Sequence, residues 1–313
     1  MPTPVFLTVD TEFAWRHHAA GLDVDAIYER SIEPAGVGLS YQLSRLVAHD
    51  LKACFFVDPM PALTYGLAPV RRMVETVLGA GQEVQLHLHP GWSGAACGNR
   101  LAHSRKNLTE YSAAEQHDLI AGAIDLLVSA GAPRPIAFRA GAYAADDATL
   151  DALAAHGLLY DSSHNGAAPA SGVGLPRRHI APVRTSVVEV PVTVICDAGS
   201  LRTFQLCALS AQESRAALEH AARQNHAAVT IVSHGFELAN RAGTRANGIH
   251  VARFESLCGV LSDMRDVLPT MHFADRPVLA LDHDDQPLGP NALRTCWRRA
   301  EQLWSNWVEE RAA

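Results

Sequence analysis

Hydrophobic residues in this chain recur with two alternating periods. Short apolar runs, PVFLTVD, KACFFVD, EVQLHLH, PIAFRAG, SVVEVPVTVI and AAVTIVSHG, are separated by longer stretches with a one-sided apolar stripe, VGLSYQLSRLVAHD, APVRRMVETVLGAG, SAAEQHDLIAGAIDLLVSAG, DDATLDALAAHG and SAQESRAALEHAARQ. The runs have the length and β-branched content of buried strands, and the stretches between them read as amphipathic helices. Strand and helix in alternation predict parallel strands joined by crossover helices, as a barrel or an open doubly wound sheet. No GxGxxG follows the first run and no P-loop occurs anywhere, so neither nucleotide-binding fingerprint is met.

The polar residues of the runs gather at their C-terminal ends: Asp10 and Glu12 in LTVDTE, His87 and His89 in EVQLHLHPGW, Arg139 in FRAG, His234 in SHG. In a β/α barrel these ends converge on one mouth, so residues remote in sequence meet there. Side chains two apart on a strand leave the same face, which projects His87 and His89 together while Val84, Leu86 and Leu88 point the other way. A lone histidine in an apolar strand is most often a hydrogen-bonded core residue, but two adjacent imidazoles need a shared partner. Neutral imidazole is a common ligand of zinc, iron or copper. One carboxylate from Asp10 or Glu12 would complete a two-His-one-carboxylate site with positions open for water and substrate, leaving the other as a general base.

Composition narrows the partners. The formal net charge of −7 argues against a general nucleic-acid binder. Six cysteines, at 54, 97, 196, 207, 258 and 296, form no CxxC and no disulfide framework, and are read as ordinary thiols. The N-terminus enters the first strand without the basic and apolar regions of a signal peptide, and no apolar stretch is long enough to span a bilayer. A cytoplasmic location is the resulting expectation, in which case the NLT sequon at Asn107 carries no meaning.

Five motifs in order, TVDTE, GQEVQLHLHPGW, FRAGAY, YDSS and SHGFEL, resemble those of the polysaccharide deacetylase family, the NodB-homology amidohydrolases of carbohydrate esterase family 4. The likeness spans roughly residues 5 to 240. It implies a distorted (β/α) barrel of about seven parallel strands over residues 1–275, holding one divalent metal ion, most often zinc, with cobalt, nickel or iron as alternatives. It implies hydrolysis of an N-acyl group, acetyl or formyl, from an amino sugar or glycan intermediate. Position by position, Asp10 matches the base, Glu12 and His87 match metal ligands, and His89 is the candidate for the second metal histidine. Arg139 matches the arginine that orients the base, and His234 the acid that protonates the leaving amine. Trp92, Ala142, Tyr143 and Asp161 are candidate substrate contacts, with an oxyanion donor near the Ala142 backbone. The chain departs from the common pattern in three places: Thr11 separates the two acids, Gly91 stands where the second histidine usually falls, and RAGAY lacks the proline of RxPYG.

Residues 276–313 read as a connector and a final helix. Trp297, Trp304 and Trp307 lie on it at helical spacing, expected to pack on the barrel, with a homodimer contact as the alternative. Three further functional readings stay open at this point: hydrolysis of a small non-sugar amide, a carbohydrate-binding relative without turnover, and a non-haem iron oxygenase, which shares the ligand set but favours an antiparallel fold.

Overall fold

A computed structural model describes residues 2–95 and 105–310, so Cys97 lies outside the described residues. Among the described residues ten strands are formed: β1 Val5–Thr11, β2 Cys54–Val57, β3 Glu83–Leu88, β4 Ala137–Ala140, β5 Tyr160–Asp161, β6 Val183–Arg184, β7 Val188–Glu189, β8 Val194–Asp197, β9 Ser200–Thr203 and β10 Val229–His234. Eight of them make one sheet in the order β10-β1-β2-β3-β4-β5-β7-β6. All neighbours are parallel except β6, which runs antiparallel at the edge. The seven parallel strands curl into a half-barrel, the distorted barrel that the resemblance implied.

The helices are α1 Trp15–Ala19, α2 Val24–Ser31, α3 Leu39–Ala48, α4 Ala62–Tyr65, α5 Ala68–Gly79, α6 Ala113–Ser129, α7 Asp147–Ala155, α8 Ala211–Gln224, α9 Gly248–Asp263 and α10 Ala292–Trp304. The starts of α6, α7 and α8 are set by reciprocal caps, Ser112 with Glu115, Asp146 with Thr149 and Ser210 with Glu213. Each pair satisfies two backbone N–H groups that have no partner inside the helix.

Strand periodicity divides the core in two. Val5, Leu7 and Val9 of β1, Phe55 and Val57 of β2, and Val84, Leu86 and Leu88 of β3 face outward into the cluster shared with the helices. The intervening residues face the barrel interior, where Phe6, Cys54, Phe56, Ala137 and Tyr160 join Phe273. Phe273 stacks on Phe6 with ring centroids 4.4 Å apart, and the N–H groups of Phe273 and Ala274 donate to the Glu83 carboxylate at 2.8 and 2.7 Å. This closes the end of the barrel where the strands begin. The same alternation carried along each strand leaves Asp10, Asp58, His87, Arg139 and His234 as the interior residues toward the other end.

Two expectations are corrected. SVVEVPVTVI is not one strand: it gives β7, breaks, and resumes as β8 in a separate hairpin with β9. Pro191 lies in the break, where it has no N–H for a ladder. The chain there spans the gap between the sheet's ends by single bonds: Val192 N–H donates to His164 C=O at 2.8 Å, and Thr193 N–H donates to Thr230 C=O of β10 at 3.1 Å. The second correction concerns α10. Its tryptophans and the one in the turn beyond it do not face the barrel: Trp297, Trp304 and Trp307 are 53, 59 and 65% exposed. The helix docks by its opposite, charged face, through Arg298 to Glu213 and Asp197 at 3.0 and 2.8 Å and through Glu301 to Arg253 at 2.7 Å. Ion pairs between already buried partners took the face that apolar spacing alone would have assigned to water.

Candidate active site

Glu12 lies one residue beyond the end of β1, and its carboxylate meets the imidazoles of His87 on β3 and of His89 just past its end. Its Oε2 is 3.4 Å from His87 Nε2 and in hydrogen-bonding contact with His89 Nε2. One donor atom from each of the three residues lies within 4.8 Å of the others, the one such group among the described residues. The tautomer of His87 follows from its other nitrogen: Nδ1 is 2.8 Å from the Arg139 carbonyl oxygen, which only accepts, so Nδ1 carries the proton and the Nε2 lone pair faces Glu12. His89 is fixed by space, since a Cβ on Gly141 would lie 2.5 Å from its ring. The residue types, the orientation and the convergence fit a divalent cation such as zinc. The two-residue spacing, unlike the four-residue spacing of the common pattern, delivers both nitrogens because the chain is still extended at His89 (φ −106, ψ 103).

Burial opposes a charge on Glu12, but His89 and then His87 outweigh it and hold the carboxyl well below its ordinary value. Reciprocally, burial would lower His89, yet Glu12, Asp58 and Asp10 hold it up at about 9. A divalent cation among the three ligand atoms would supply the same positive charge and let both imidazoles be neutral.

Beside this group stands a second one of different character. Arg139 of β4 is fully buried and donates to Asp10 Oδ1 at 2.8 Å, to Thr8 Oγ1 at 2.7 Å, and to the Ser162 carbonyl and hydroxyl oxygens at 3.0 Å each. Its guanidinium also lies 4.5 Å from the centroid of Phe56. Burial would raise the Asp10 carboxyl; Arg139, then His87 and His234, reverse this and hold it below its ordinary value. Parallel register sets Asp10 beside His234 on β10, with Oδ2 3.9 Å from Nε2, beyond a direct hydrogen bond. His234 donates from Nδ1 to Glu237 Oε1 at 2.7 Å, and Glu237 is held in turn by Gln205. Burial lowers His234, but the bond and charge of Glu237, with Asp10 and Glu12, hold it at about 9, so the ring is an imidazolium at neutral pH.

The turn after β4 completes this wall. Gly141–Tyr143 carries two successive non-glycine residues in the left-handed region, Ala142 at φ 54 and Tyr143 at φ 60. Such conformations cost about 1–3 kcal/mol each and gather at functional sites. The Tyr143 hydroxyl is buried without a hydrogen-bond partner, and burial followed by the charge of Asp10 raises its pKa far above the ordinary value. Trp92 lines a cavity of about 330 Å³ that also touches Glu12 and His89, among aromatic neighbours Trp15 and His18 at 4.8 and 5.2 Å.

Asp161 does not belong to the mouth. It is fully buried, and its oxygens accept from the Ser163 hydroxyl at 2.7 Å and the Ser163 N–H at 3.2 Å. Its place is behind Arg139, bracing the loop that supplies Ser162, rather than against a substrate. Sequence reasoning also passed over Asp58, the interior residue after β2. Asp58 accepts from Met60 N–H at 3.0 Å, its other oxygen is buried without a partner, and burial raises its pKa to about 6 against the opposing charge of His89. The signal was present in KACFFVD, an acid ending a strand as Asp10 does in PVFLTVD. Glu237, two residues into the SHGFEL turn, and Gln205 had no such signal.

No family model matches the sequence, and no curated protein matches it. Solved structures do. A protein assigned as a polysaccharide deacetylase from Mycobacterium smegmatis superposes with a TM-score of 0.57 at 18% identity, over 91% of this chain and 95% of that one. The fold is that of the NodB-homology polysaccharide deacetylases. A 4-alpha-glucanotransferase from Thermococcus litoralis also superposes, with a TM-score of 0.50 at 9% identity over 88% of this chain and 40% of its own. A family 4 carbohydrate esterase from Streptomyces lividans, in complex with acetate, aligns more loosely, with a TM-score of 0.44 at 14% identity over 92% and 98%. At these identities the fold is shared and the chemistry has to be argued from the site.

Proposed function

We propose that this protein is a metal-dependent hydrolase that removes an N-acyl group, acetyl or formyl, from an amino sugar or glycan intermediate. One observation carries the reading: a Glu12, His87 and His89 ligand group opens on the same mouth as an Arg139-held carboxylate and a His234 imidazole held by Glu237. A polysaccharide deacetylase is among the structures that share the fold. The non-sugar amide reading has no feature of its own in the cavity, whose wall includes the aromatic residues Trp15, Trp92 and Phe236.

Glu12, His87 and His89 would hold a divalent ion, which would supply Lewis acidity and make water a competent nucleophile at neutral pH. Asp10 accepts the proton of the attacking water. Arg139 keeps Asp10 ionised and aimed, because its four hydrogen bonds to Asp10, Thr8 and Ser162 stop it swinging away. Negative charge then builds on the amide oxygen, where backbone N–H in the Ala142 turn and the Tyr143 hydroxyl can donate. His234 gives its Nε2 proton to the departing amine, while Glu237 on Nδ1 holds the ring in that orientation.

Metal content of protein purified without added metal, followed by acetate and formate release from N-acyl amino sugars, tests the reading. The expected result is about one zinc, cobalt or nickel per chain, lost in the H87A/H89A double variant together with turnover. Metal-loaded protein that releases no acid from neutral, phosphorylated or carboxylated N-acyl amino sugars would overturn it.

A further inference from the structure

The cavity that opens on Glu12 and His89 carries an unusual charge. Its wall holds three cations, Arg16, Lys106 and Arg241, and one anion, Glu12, whose charge is already met by the histidines. This runs against the chain's net charge of −7. None of the three cations forms an ion pair among the described residues; Arg16 senses Glu12 and Glu310 only at longer range. Arg16 is nevertheless held in place: its Nε donates to the Arg241 carbonyl at 2.7 Å and its guanidinium lies 5.0 Å from the centroid of Phe236. The Arg241 N–H donates to Glu310 at 2.8 Å, which fixes that backbone while its guanidinium remains on the cavity wall. Burial first, and then Arg241, disfavour the charge on Arg16. Positioned cations without a carboxylate are the usual recognition device for an oxyanion, which a guanidinium grips in bidentate fashion.

Resting on the hydrolase reading above, we infer that the substrate is acidic: an N-acyl amino sugar whose phosphate or carboxylate sits against Arg16, Arg241 and Lys106 while its acyl group reaches the metal ligands. Aromatic rings beside the cations seat the sugar, and the cations select for the charged group. Calorimetric titration of the metal-loaded protein with N-acetylglucosamine, N-acetylglucosamine 1-phosphate and N-acetylmuramic acid tests this. At least one acidic sugar is expected to bind about tenfold or more tighter than the neutral one, a gap of about 1.4 kcal/mol. The arm that responds distinguishes phosphate from carboxylate. The Arg16→Gln, Arg241→Gln double variant should erase the gap, and Lys106→Gln, on an exposed side chain, should narrow it. Equal affinity for all three sugars, no binding of any, or a gap that survives in folded double variant would overturn the proposal. Tight binding of an acidic sugar with no acid release would reject the hydrolase and keep the anion site; equal kcat/KM for neutral and acidic sugars would do the reverse.

A separate observation concerns α10. Leu293, Cys296, Trp297, Ala300, Leu303 and Trp304 all lie on its exposed side, with Leu293 83% and Leu303 64% exposed. The pattern is palindromic about Ala300: reversing the helix places Cys296 on Trp304 and Trp297 on Leu303. An antiparallel two-fold pairing therefore matches apolar with apolar, the self-complementarity that an isologous contact requires. The geometry points to a second copy of this chain as the occupant of that face, with Ala300 allowing close approach where the helices cross. Sedimentation velocity from low to high micromolar protein should show a dimer that Ala300→Glu and Trp297→Glu each weaken by about 100-fold, the scale of a central interface residue. A monomer throughout, or a dimer indifferent to both substitutions, would overturn this.

Discussion

The two carboxylates at the end of β1, Asp10 within it and Glu12 just beyond, stand two residues apart and are stabilised in unlike ways. Asp10 faces a permanent cation, Arg139, that is buried and bonded to four acceptors. Glu12 faces two imidazoles, whose charge is a matter of protonation and which a metal ion can replace. The Asp10 side is built into the fold, since guanidinium never gives up its proton. On the Glu12 side the positive charge is exchangeable, so it can belong to a cofactor. Adjacent positions thus divide the labour of a hydrolytic site, one holding a proton acceptor and the other a place for a Lewis acid.

That contrast sets a ranking of perturbations. The largest effect on folding is expected from Arg139→Met, which strands a buried Asp10; removing one partner of a buried pair costs about 3–5 kcal/mol. Urea unfolding should show this, and the Asp10→Asn, Arg139→Met double variant should recover much of the loss. If the double variant is as unstable as the single, the guanidinium matters for packing rather than for the charge of Asp10.

His87→Ala should act the other way, lowering activity by about 10³-fold or more through loss of metal while changing metal-free stability little, because a cation comparable to Arg139 is not removed. A chelator should lower the thermal midpoint of wild-type protein and leave that of His87→Ala unmoved. A midpoint indifferent to chelation in both would show that the Glu12 side does not use a metal.

Intermediate in size is His234→Asn, expected to reduce kcat by about 10²- to 10⁴-fold with metal content retained. Its pH behaviour is sharper. His234 is held at about 9, above the ordinary imidazole value. Its protonated form therefore contributes stability that is complete below about pH 6.5 and lost as pH rises through about 9. The alkaline limb of kcat/KM should fall in the same range, and Glu237→Gln should move that limb to lower pH. A limb unmoved by Glu237→Gln would separate His234 from proton delivery.

The smallest expected change is from Gly141→Ala. The added methyl would press on the His89 ring at 2.5 Å, and displacing a ligand's support costs about 10- to 100-fold in metal affinity. Asp10 and Arg139 should be untouched, so stability without metal should scarcely change; a loss comparable to that of Arg139→Met would mean that the two sides are not independent.

Much of this site is legible in the chain because strand periodicity is short and local. Asp10, Glu12, His87 and His89 share a face by their spacing, and each run ends where its chemistry begins. Arg139 and His234 are legible by type and place, as polar residues closing apolar runs. Other members are not. Glu237, Gln205 and Ser162 become partners only after β10 and β5 are laid beside their neighbours, and Asp161 looks like a pocket acid until it is found buried behind Arg139. The cations of the cavity lie on three separate segments, at 16, 106 and 241, with no local pattern.

What the sequence determined by itself, then, is the alternation of strand and helix, the inner and outer faces of each strand, and the ligand group those faces imply. Tertiary structure alone decided which carboxylate meets the imidazoles and which meets the guanidinium, where Pro191 breaks the sheet, and which face of α10 turns to water. The physical reason is range. Periodicity and capping act within a few residues, whereas charge pairing and exclusion from water act between segments that only the folded chain brings together.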